Sequence, residues 1–577
     1  MPSANDMVAN ALRELADLLA VAGGDPYRVR AYEKAARSVA GYPLDVGRLD
    51  ARALEQIPAV GEHIAAKIAE LLATGRLAEL EELRAQLPAG LRSLLEVPGL
   101  GPRRAHQVYE ELHVASVPEL LEALRRRRLR QLRGWGPASE ERLAAALARH
   151  EEMGGRLQLG SALELAEELL DAVRAIPAVE RAEVAGSLRR RCETIGDIDL
   201  LAASHEPEAV MEAFARLPSV AQVPARGPTK AVARTASGVH VDLRVVAPGS
   251  WGAALVYFTG SKAHGIHLRR LARRRGMKLS EYALERRDAT VVAAATEEEV
   301  YEALGLAWVP PVLREDRGEV DAAQARRLPH LVQLGDLRGD LHTHTTLTDG
   351  LATLEELVAA ARRHGYRYLA VTDHAPALRM QRMTADKALA QRAALRALER
   401  DDGIALLHGS ELNIQADGSL DFDDEFLAGF DILVASVHSA FELGREAMTR
   451  RLIRAIEHPA VNVIGHPTSR SIGRRPPIDF DAEAVFAAAA RSGTALEINS
   501  FPDRLDLPDE LARLARERGV MLAISSDAHA LRHLDNLRYG VATAQRGWVE
   551  PEQVINTWPL ERLRAFLAKG RRLSTAR

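Results

Sequence analysis

The sequence has a single cysteine, Cys192, which excludes any disulfide within the chain and points to a reducing cytoplasm. It shows no secretory signal: the opening MPSANDMVANALRELADLLA carries charges inside its apolar run and reads as an amphipathic helix. No apolar stretch approaches the roughly 20 residues that a membrane span requires, so no membrane partner is expected. Net charge is almost missing, with 76 Lys+Arg against 80 Asp+Glu, and bulk charge excludes no class of partner. Lysine is scarce at the front, where Lys34 and Lys67 are the only two in the first 150 residues. Length is in excess: 577 residues exceed what one hydrophobic core fills, so several domains are expected.

Residues 5–150 read as consecutive helices joined by short loops. Two segments there, PAVGEHIAAKIAELLATG (58–75) and PGLGPRRAHQVYEEL (98–112), share a Pro-x-hydrophobic-Gly turn that leads into a helix. Each packs a small residue, Ala65 or Ala105, four positions after the last glycine. Gly61, Gly99 and Gly101 let the backbone approach a phosphate, and the first amides of the next helix can bind it. One such turn is as readily a plain helical connection. Two of them favour a nucleic-acid backbone gripped without sequence readout. RGWGPASEERLAAAL (133–147) is a weaker third copy, read as structural. Basic runs at 124–137, 186–192 and 268–278 suit the same partner, although a basic run alone is usually a solvated face.

From about residue 160 short β-branched runs alternate with helices. A proline-bearing charged stretch, VPPVLREDRGEVDAAQARRLPHL (309–331), looks like a linker. Beyond it LHTH, LAVTDHA, ALLHGSEL, ILVASVHSA, VNVIGHPTS, TALEINS and LAISSDAHA give seven strand-then-helix units, the signature of a parallel α/β barrel.

In GDIDLLAA, Asp197 and Asp199 alternate with Ile198 and Leu200, so a strand puts both carboxylates on one face. GVHVDLRVV repeats the pattern, with Asp242 between Val241 and Leu243. Three carboxylates on one sheet face repel one another unless cations lie between them. Two magnesium ions there would activate an attacking hydroxyl and hold a phosphoryl group in line. Ordinary acids on a solvent-facing strand are the alternative for an isolated DxD. Its neighbours, GSLRRR upstream and YFTGSKAH (257–264) downstream, weigh against that.

In this order these motifs resemble the family X DNA polymerases of the DNA polymerase β type, over residues 1 to about 316. The resemblance implies Asp197, Asp199 and Asp242 as catalytic ligands of Mg2+. It implies Ser187, Arg190 and Gly196 around the triphosphate of an incoming deoxynucleotide, with Tyr257, Phe258 and Gly260 against its sugar. The partner implied is gapped or primer-template DNA, and a monomer is expected. Two departures stand out: Gly265 replaces the asparagine that usually contacts the incoming base, and His240 stands where some relatives have arginine. In the family the front domain can remove a 5′-deoxyribose phosphate through a lysine Schiff base. Tyr32 and Lys67 fall at those positions, yet Arg28 and His63 replace nearby lysines and Ala59 replaces a turn glycine. Lys67 thus fits either a lyase nucleophile or a DNA-backbone contact.

In LHTHTTLTDG, His342 and His344 share one strand face and Asp349 returns from the loop. An isolated His-x-His pair is more often a satisfied surface pair. Here His374, Glu411, His438, His466, Asp527 and His529 also fall at strand ends, on the edge where barrel sites assemble. Nine nitrogen and oxygen ligands without cysteine suit a cluster of Mn2+, Zn2+ or iron ions. The pattern resembles the PHP (polymerase and histidinol phosphatase) domain over about 338–577, and all nine positions of its three-metal site are present. Asp373, His408, Glu497 and Asn499 are expected to orient ligands, and His458 and His533 to be structural.

The fold class expected is multidomain α + α/β: a helical helix-hairpin-helix front, a polymerase β-like nucleotidyltransferase palm and a C-terminal (β/α)7 PHP barrel. Expected boundaries are 1–80 lyase-like, 81–155 helix-hairpin-helix, 156–247 palm, 248–316 nucleotide-selecting, 317–337 linker and 338–577 PHP. The function expected is gap filling in DNA repair, with a metal-dependent 3′–5′ exonuclease in the barrel and abasic-site incision left open. A small-molecule phosphatase and a metal-stabilised scaffold are the alternative roles for the barrel.

Overall fold

The computed structural model describes residues 4–568, apart from positions 43, 89, 96, 98–99, 379–382 and 400–402. The front is helical, as its periodicity predicts. Ala4–Val21, Pro26–Gly41, Glu62–Thr74 and Ala78–Gln86 close on Leu12, Leu15, Tyr32 and Ile68. Pro102–Leu112, Val117–Arg125 and Pro137–Met153 build a second core around Val108, Leu120 and Leu147. Capping fixes where several of these helices start: the Asp25 side chain accepts from Tyr27 N and that of Ser116 from Glu119 N.

Next comes a five-stranded sheet in the order Arg181–Val184, Ile198–Ala203, His240–Val246, Lys230–Thr235, Val220–Arg226. Its two central strands run parallel and its other pairs antiparallel. Period-two alternation sends Ile198, Leu200, Val241 and Leu243 into a core shared with the helix Leu159–Arg174, which leaves the opposite face for the aspartates. A smaller unit follows, with the antiparallel strands Met277–Leu279, Leu284–Arg286 and Val291–Ala293 against the helices Trp251–Thr259 and Lys262–Arg274.

The last part is the seven-stranded parallel barrel expected from the repeats. Gly339–Asp340, Tyr368–Val371, Ala405–Asn413, Ile432–Ser436, Val463–Ile464, Ala495–Asn499 and Leu522–Ser525 pair in chain order. A parallel bridge between Thr343 and Ala528 brings the first strand back to the last. Helices cover the sheet, so all nine residues of Ala405–Asn413 are buried. Apolar side chains fill the bottom, where Leu341, Tyr368, Leu407 and Val434 meet Trp558 and Leu563 from the C-terminal segment. The strand ends that carry histidine and carboxylate groups form the opposite mouth.

Residues 317–337, expected as a linker, are folded. The short helix Glu319–Gln324 places Val320 and Ala323 in the core of the smaller unit, and buried Glu319 meets His264 Nδ1 at 2.5 Å. The barrel packs on both earlier units: Ile472, Leu505 and Tyr539 join the palm core, and Trp548 joins that of the smaller unit. Among the described residues no helix is long and apolar enough to cross a membrane.

Gly339 lies where the first two barrel strands touch: a Cβ there would come 2.0 Å from Tyr368 O. Gly339→Ala is expected to destabilise the barrel by about 2 kcal/mol or more, through forced strand separation. For a unit of this size that lowers its melting temperature by about 5 °C, read by scanning calorimetry. An unchanged endotherm would contradict the packing argument.

Candidate active sites

The parallel pairing of the two central palm strands sets Asp199 directly beside Asp242, with Asp197 just before the strand begins. Burial, then the Asp197 and Asp242 carboxylates, push the Asp199 carboxyl up to about 7. Such a cluster is built for cations: Lys230 Nζ lies 2.8 Å from Asp242 Oδ2, and the Arg190 guanidinium also draws the Asp199 carboxyl down. Gly186, at φ +56°, opens the loop above it, and a Cβ there would meet Asp199 Oδ2 at 1.9 Å. Ala185 N donates to Asp199 O at 2.8 Å, which locks this loop to the carboxylate strand. Ser187 and Arg190 follow on the short helix Gly186–Arg189 and at its C-cap, and Gly196 directly precedes Asp197. Tyr257 and Phe258 end the helix Trp251–Thr259, Tyr257 largely exposed, and Gly260 follows at φ +69°. Arg190 ties the two motifs together, its Nη1 donating to Thr259 O at 2.6 Å.

At the barrel mouth all nine expected positions converge. Three groups have ligand atoms within 4.8 Å of one another: His344, Asp349, His374 and His529; His342, His344 and Asp527; and His374, Glu411 and His438. His344 and His374 each belong to two groups, which suits neighbouring ions that share a wall. His466 completes the ring, its Nε2 2.9 Å from Glu411 Oε1. His342 Nε2 and His344 Nε2 are buried with Glu411 and Asp527 oxygens at 3.2–3.7 Å but no well-formed hydrogen bond, and His344 Nδ1 is buried with none, a costly arrangement unless a ligand completes them. The donor set and these orphaned nitrogens fit a cluster of divalent cations.

The supporting groups lie one layer out. Glu497 accepts from His342 Nδ1 at 2.8 Å and from His466 N at 2.7 Å, and Asn499 Nδ2 donates to Asp527 Oδ2 at 3.0 Å. Asp373 instead holds the Asp349 loop through Thr345 and Thr348. His408 stacks on Phe430, and burial with Arg392 holds it down at about 4. His458 meets Asp424, while His533 accepts from His529 N and so props a ring residue. Sequence reasoning missed Asn413, whose Oδ1 is 2.8 Å from His438 Nδ1, and Asp340, which accepts from His342 N and Ser526 N. Arg504, 3.8 Å from Asp527 Oδ2, was missed as well. Each needs a tertiary neighbour to gain meaning, so no local spacing marks it.

The two front glycines that are described share one geometry. Gly61 and Gly101 cap Glu62–Thr74 and Pro102–Leu112 without a side-chain hydrogen bond and with open space before them; Gly99 lies outside the described residues. The third copy has the same turn, with Ser139 and Glu140 amides bonded to Gly136 O. Gly101, Arg103 and Arg104 line a cavity of about 490 Å3 whose other wall is Arg474 and Arg475 of the barrel.

Comparison with known proteins agrees with this architecture. Residues 3–77 match the helix-hairpin-helix domain family, 254–315 the DNA polymerase beta thumb and 340–500 the PHP domain. A Bacillus subtilis (strain 168) protein named DNA polymerase/3'-5' exonuclease PolX is 34% identical over 564 residues, 97% of this chain and 98% of that protein. The chain belongs to the PHP-bearing family X DNA polymerases. Proteins of Shewanella sediminis (strain HAW-EB3) and Thermoanaerobacter sp. (strain X514), each named probable phosphatase, are 31% identical over 245 and 246 residues, 40% of this chain and 93% and 95% of theirs.

Within this family X chain the departures have visible consequences. Beside Gly265 stands Arg269, whose Nη1 would be 3.2 Å from an added Cβ and whose guanidinium lies 5.9 Å from the Tyr257 ring centre. Ala59 keeps the first hairpin turn at φ +63°, a conformation glycine adopts with less strain. His240 is exposed at its strand end. Lys67 Nζ pairs with Glu79 Oε2 at 2.5 Å, and Arg28 and Tyr32 share that carboxylate. To act as a nucleophile, this amine would first have to leave Glu79.

Gly186→Ala is expected to cut nucleotide incorporation by about 100-fold or more, because the new Cβ displaces Asp199 by over 1 Å. Nuclease activity at the barrel, with no Gly186 contact, stays at wild-type level. Normal incorporation by this variant would refute the close-approach argument.

Proposed function

We propose that this chain fills short gaps in DNA as a DNA-directed polymerase and trims 3′ ends with its barrel, as a monomer acting in cytoplasmic DNA repair. One observation carries the reading: a three-carboxylate sheet face and a nine-ligand barrel mouth stand on one chain with helix-hairpin-helix turns. DNA seated on the Gly61 and Gly101 turns is gripped by its backbone, whatever its sequence.

At the palm, Asp197, Asp199 and Asp242 hold two Mg2+, and His342, His344, Asp349, His374, Glu411, His438, His466, Asp527 and His529 hold up to three Mn2+ or Zn2+. Divalent cations bound there supply Lewis acidity and charge neutralisation for phosphoryl transfer. Ser187, Arg190 and the Gly196 backbone bind the triphosphate. Tyr257, Phe258 and the Gly260 backbone wall its sugar and leave no room for a 2′-hydroxyl. In the barrel, Glu497 and Asn413 fix the His342 and His438 rings through Nδ1, which leaves each Nε2 facing the cluster. Lys67 is read as a backbone-phosphate contact, with Glu79 as its resting partner.

The relatives named probable phosphatase favour a second reading for the barrel alone, hydrolysis of a small phosphomonoester. Fusion to DNA-gripping turns favours the nuclease, since a tethered hydrolase works at high effective concentration on the same DNA. A 5′-labelled primer on gapped DNA, with Mg2+ or Mn2+ and with or without nucleotides, separates these readings. Asp197→Ala is expected to lose extension at least about 100-fold and keep shortening; His342→Ala does the reverse. Extension that survives in Asp197→Ala would sink the polymerase reading, and unaltered shortening in His342→Ala the nuclease. Wild-type protein that hydrolyses histidinol phosphate but shortens no primer would establish the second reading.

A further inference from the structure

The helix Leu537–Arg546 belongs to the barrel half, yet its last residue reaches the nucleotide loop of the palm. Arg546 Nη1 donates to Arg190 O at 2.8 Å and to Glu315 Oε1 at 2.9 Å. Its Nη2 lies 2.9 Å from Asp509 Oδ2, which Arg317 also holds at 3.0 Å. The same Glu315 oxygen accepts from Arg190 Nε at 3.0 Å. Arg190 Nη1 is committed to Thr259 O, and its Nη2 faces Cys192 Sγ at 3.9 Å. Each nitrogen of this guanidinium therefore faces a protein partner.

An anion drawn to Arg190 competes with Glu315 for the same guanidinium charge. How readily it wins depends on how strongly Glu315 needs Arg190. Burial alone would raise the Glu315 carboxyl, but Arg190 and Arg546 overcome burial and hold it below the ordinary carboxylate value. A buried carboxylate shared between two guanidiniums can release one of them; served by one alone, it would be left uncompensated. Resting on the reading that Arg190 binds the incoming triphosphate, we infer that Arg546 is a positioning residue for polymerisation. It satisfies Glu315, and so makes the Arg190 guanidinium available to the nucleotide. The barrel is then a working part of the polymerase centre.

Steady-state incorporation of dTTP into a one-nucleotide gap with Mg2+, in the full-length protein, tests this. Arg546→Met is expected to raise KM for dTTP about tenfold with kcat changed less than about threefold, a loss of ground-state nucleotide binding. Glu315→Gln, which releases Arg190 while Arg546 stays, gives a KM at or below that of wild type. The double variant returns KM to within about threefold of wild type. Shortening of a single-stranded oligonucleotide with Mn2+ reports that each variant is folded, and stays within about twofold. An unchanged KM in folded Arg546→Met overturns the inference. So does a double variant that keeps the full rise, which is what a merely structural bridge would give. If Arg546→Met loses the nuclease as well, Glu315→Gln decides alone: a KM at or below that of wild type supports the inference, and a rise above about threefold overturns it. Failure of the wild type to extend would instead remove the polymerase reading on which this rests.

Discussion

Glu411 is a fully buried carboxylate with five imidazoles within 3.7 Å: His342, His344, His374, His438 and His466. Burying such a charge costs several kcal/mol unless opposite charge and hydrogen bonds compensate it. Most of the barrel follows from that constraint. Parallel strands in chain order deliver their C-terminal ends to one rim, so the compensating groups must sit at strand ends. The other rim is then free to be apolar, and Trp558 and Leu563 close it. Asp527, also buried, relies on His342, His344 and His529 in the same way.

The palm carries the opposite imbalance. Three carboxylates share one face with Lys230 and Arg190 as nearby cations, and the Asp199 carboxyl is still pushed up to about 7. A site with surplus negative charge calls for cations, whereas the barrel mouth mixes carboxylates with imidazoles, a donor set for transition-metal ions. This difference separates an oxygen-donor site from one of mixed nitrogen and oxygen donors. It also explains why the palm carboxylates remain more open than the barrel ligands: Asp197 is exposed, and His342, His344 and Glu411 are almost wholly buried.

Features whose physics is local were readable from sequence. Strand periodicity, the His-x-His pair, strand-end histidines and the glycine turns each declare themselves within a few residues, which is why the seven strands and the helical front were legible. Groups defined by pairing were not. Lys230 sits in KAVART, an ordinary strand until its antiparallel register with His240–Val246 brings it to Asp242. Asn413 and Arg504 look like polar loop residues until His438 and Asp527 arrive beside them. The stretch 317–337 reads as a linker because charges and a proline interrupt its apolar residues. Yet Val320 and Ala323 are spaced for one helical face, and buried Glu319 is hydrogen-bonded to a histidine 55 positions earlier.

The same limit hides the union of the two halves. Ile472, Leu505, Tyr539 and Trp548 are unremarkable barrel residues in sequence, but they finish hydrophobic cores that the earlier units begin. Around this apolar seam stand ion pairs between units, Arg470–Glu193 at 2.7 Å, Arg317–Asp509 at 3.0 Å and Arg546–Glu315 at 2.9 Å. Arg546 and Glu315 are mostly buried, so their attraction is screened less by water than that of an exposed pair. Motion at the palm that accompanies nucleotide binding must therefore either preserve these contacts or carry the barrel with it. Two centres that make and break phosphodiester bonds then share one mechanical frame, and the barrel constrains the geometry of the centre it accompanies.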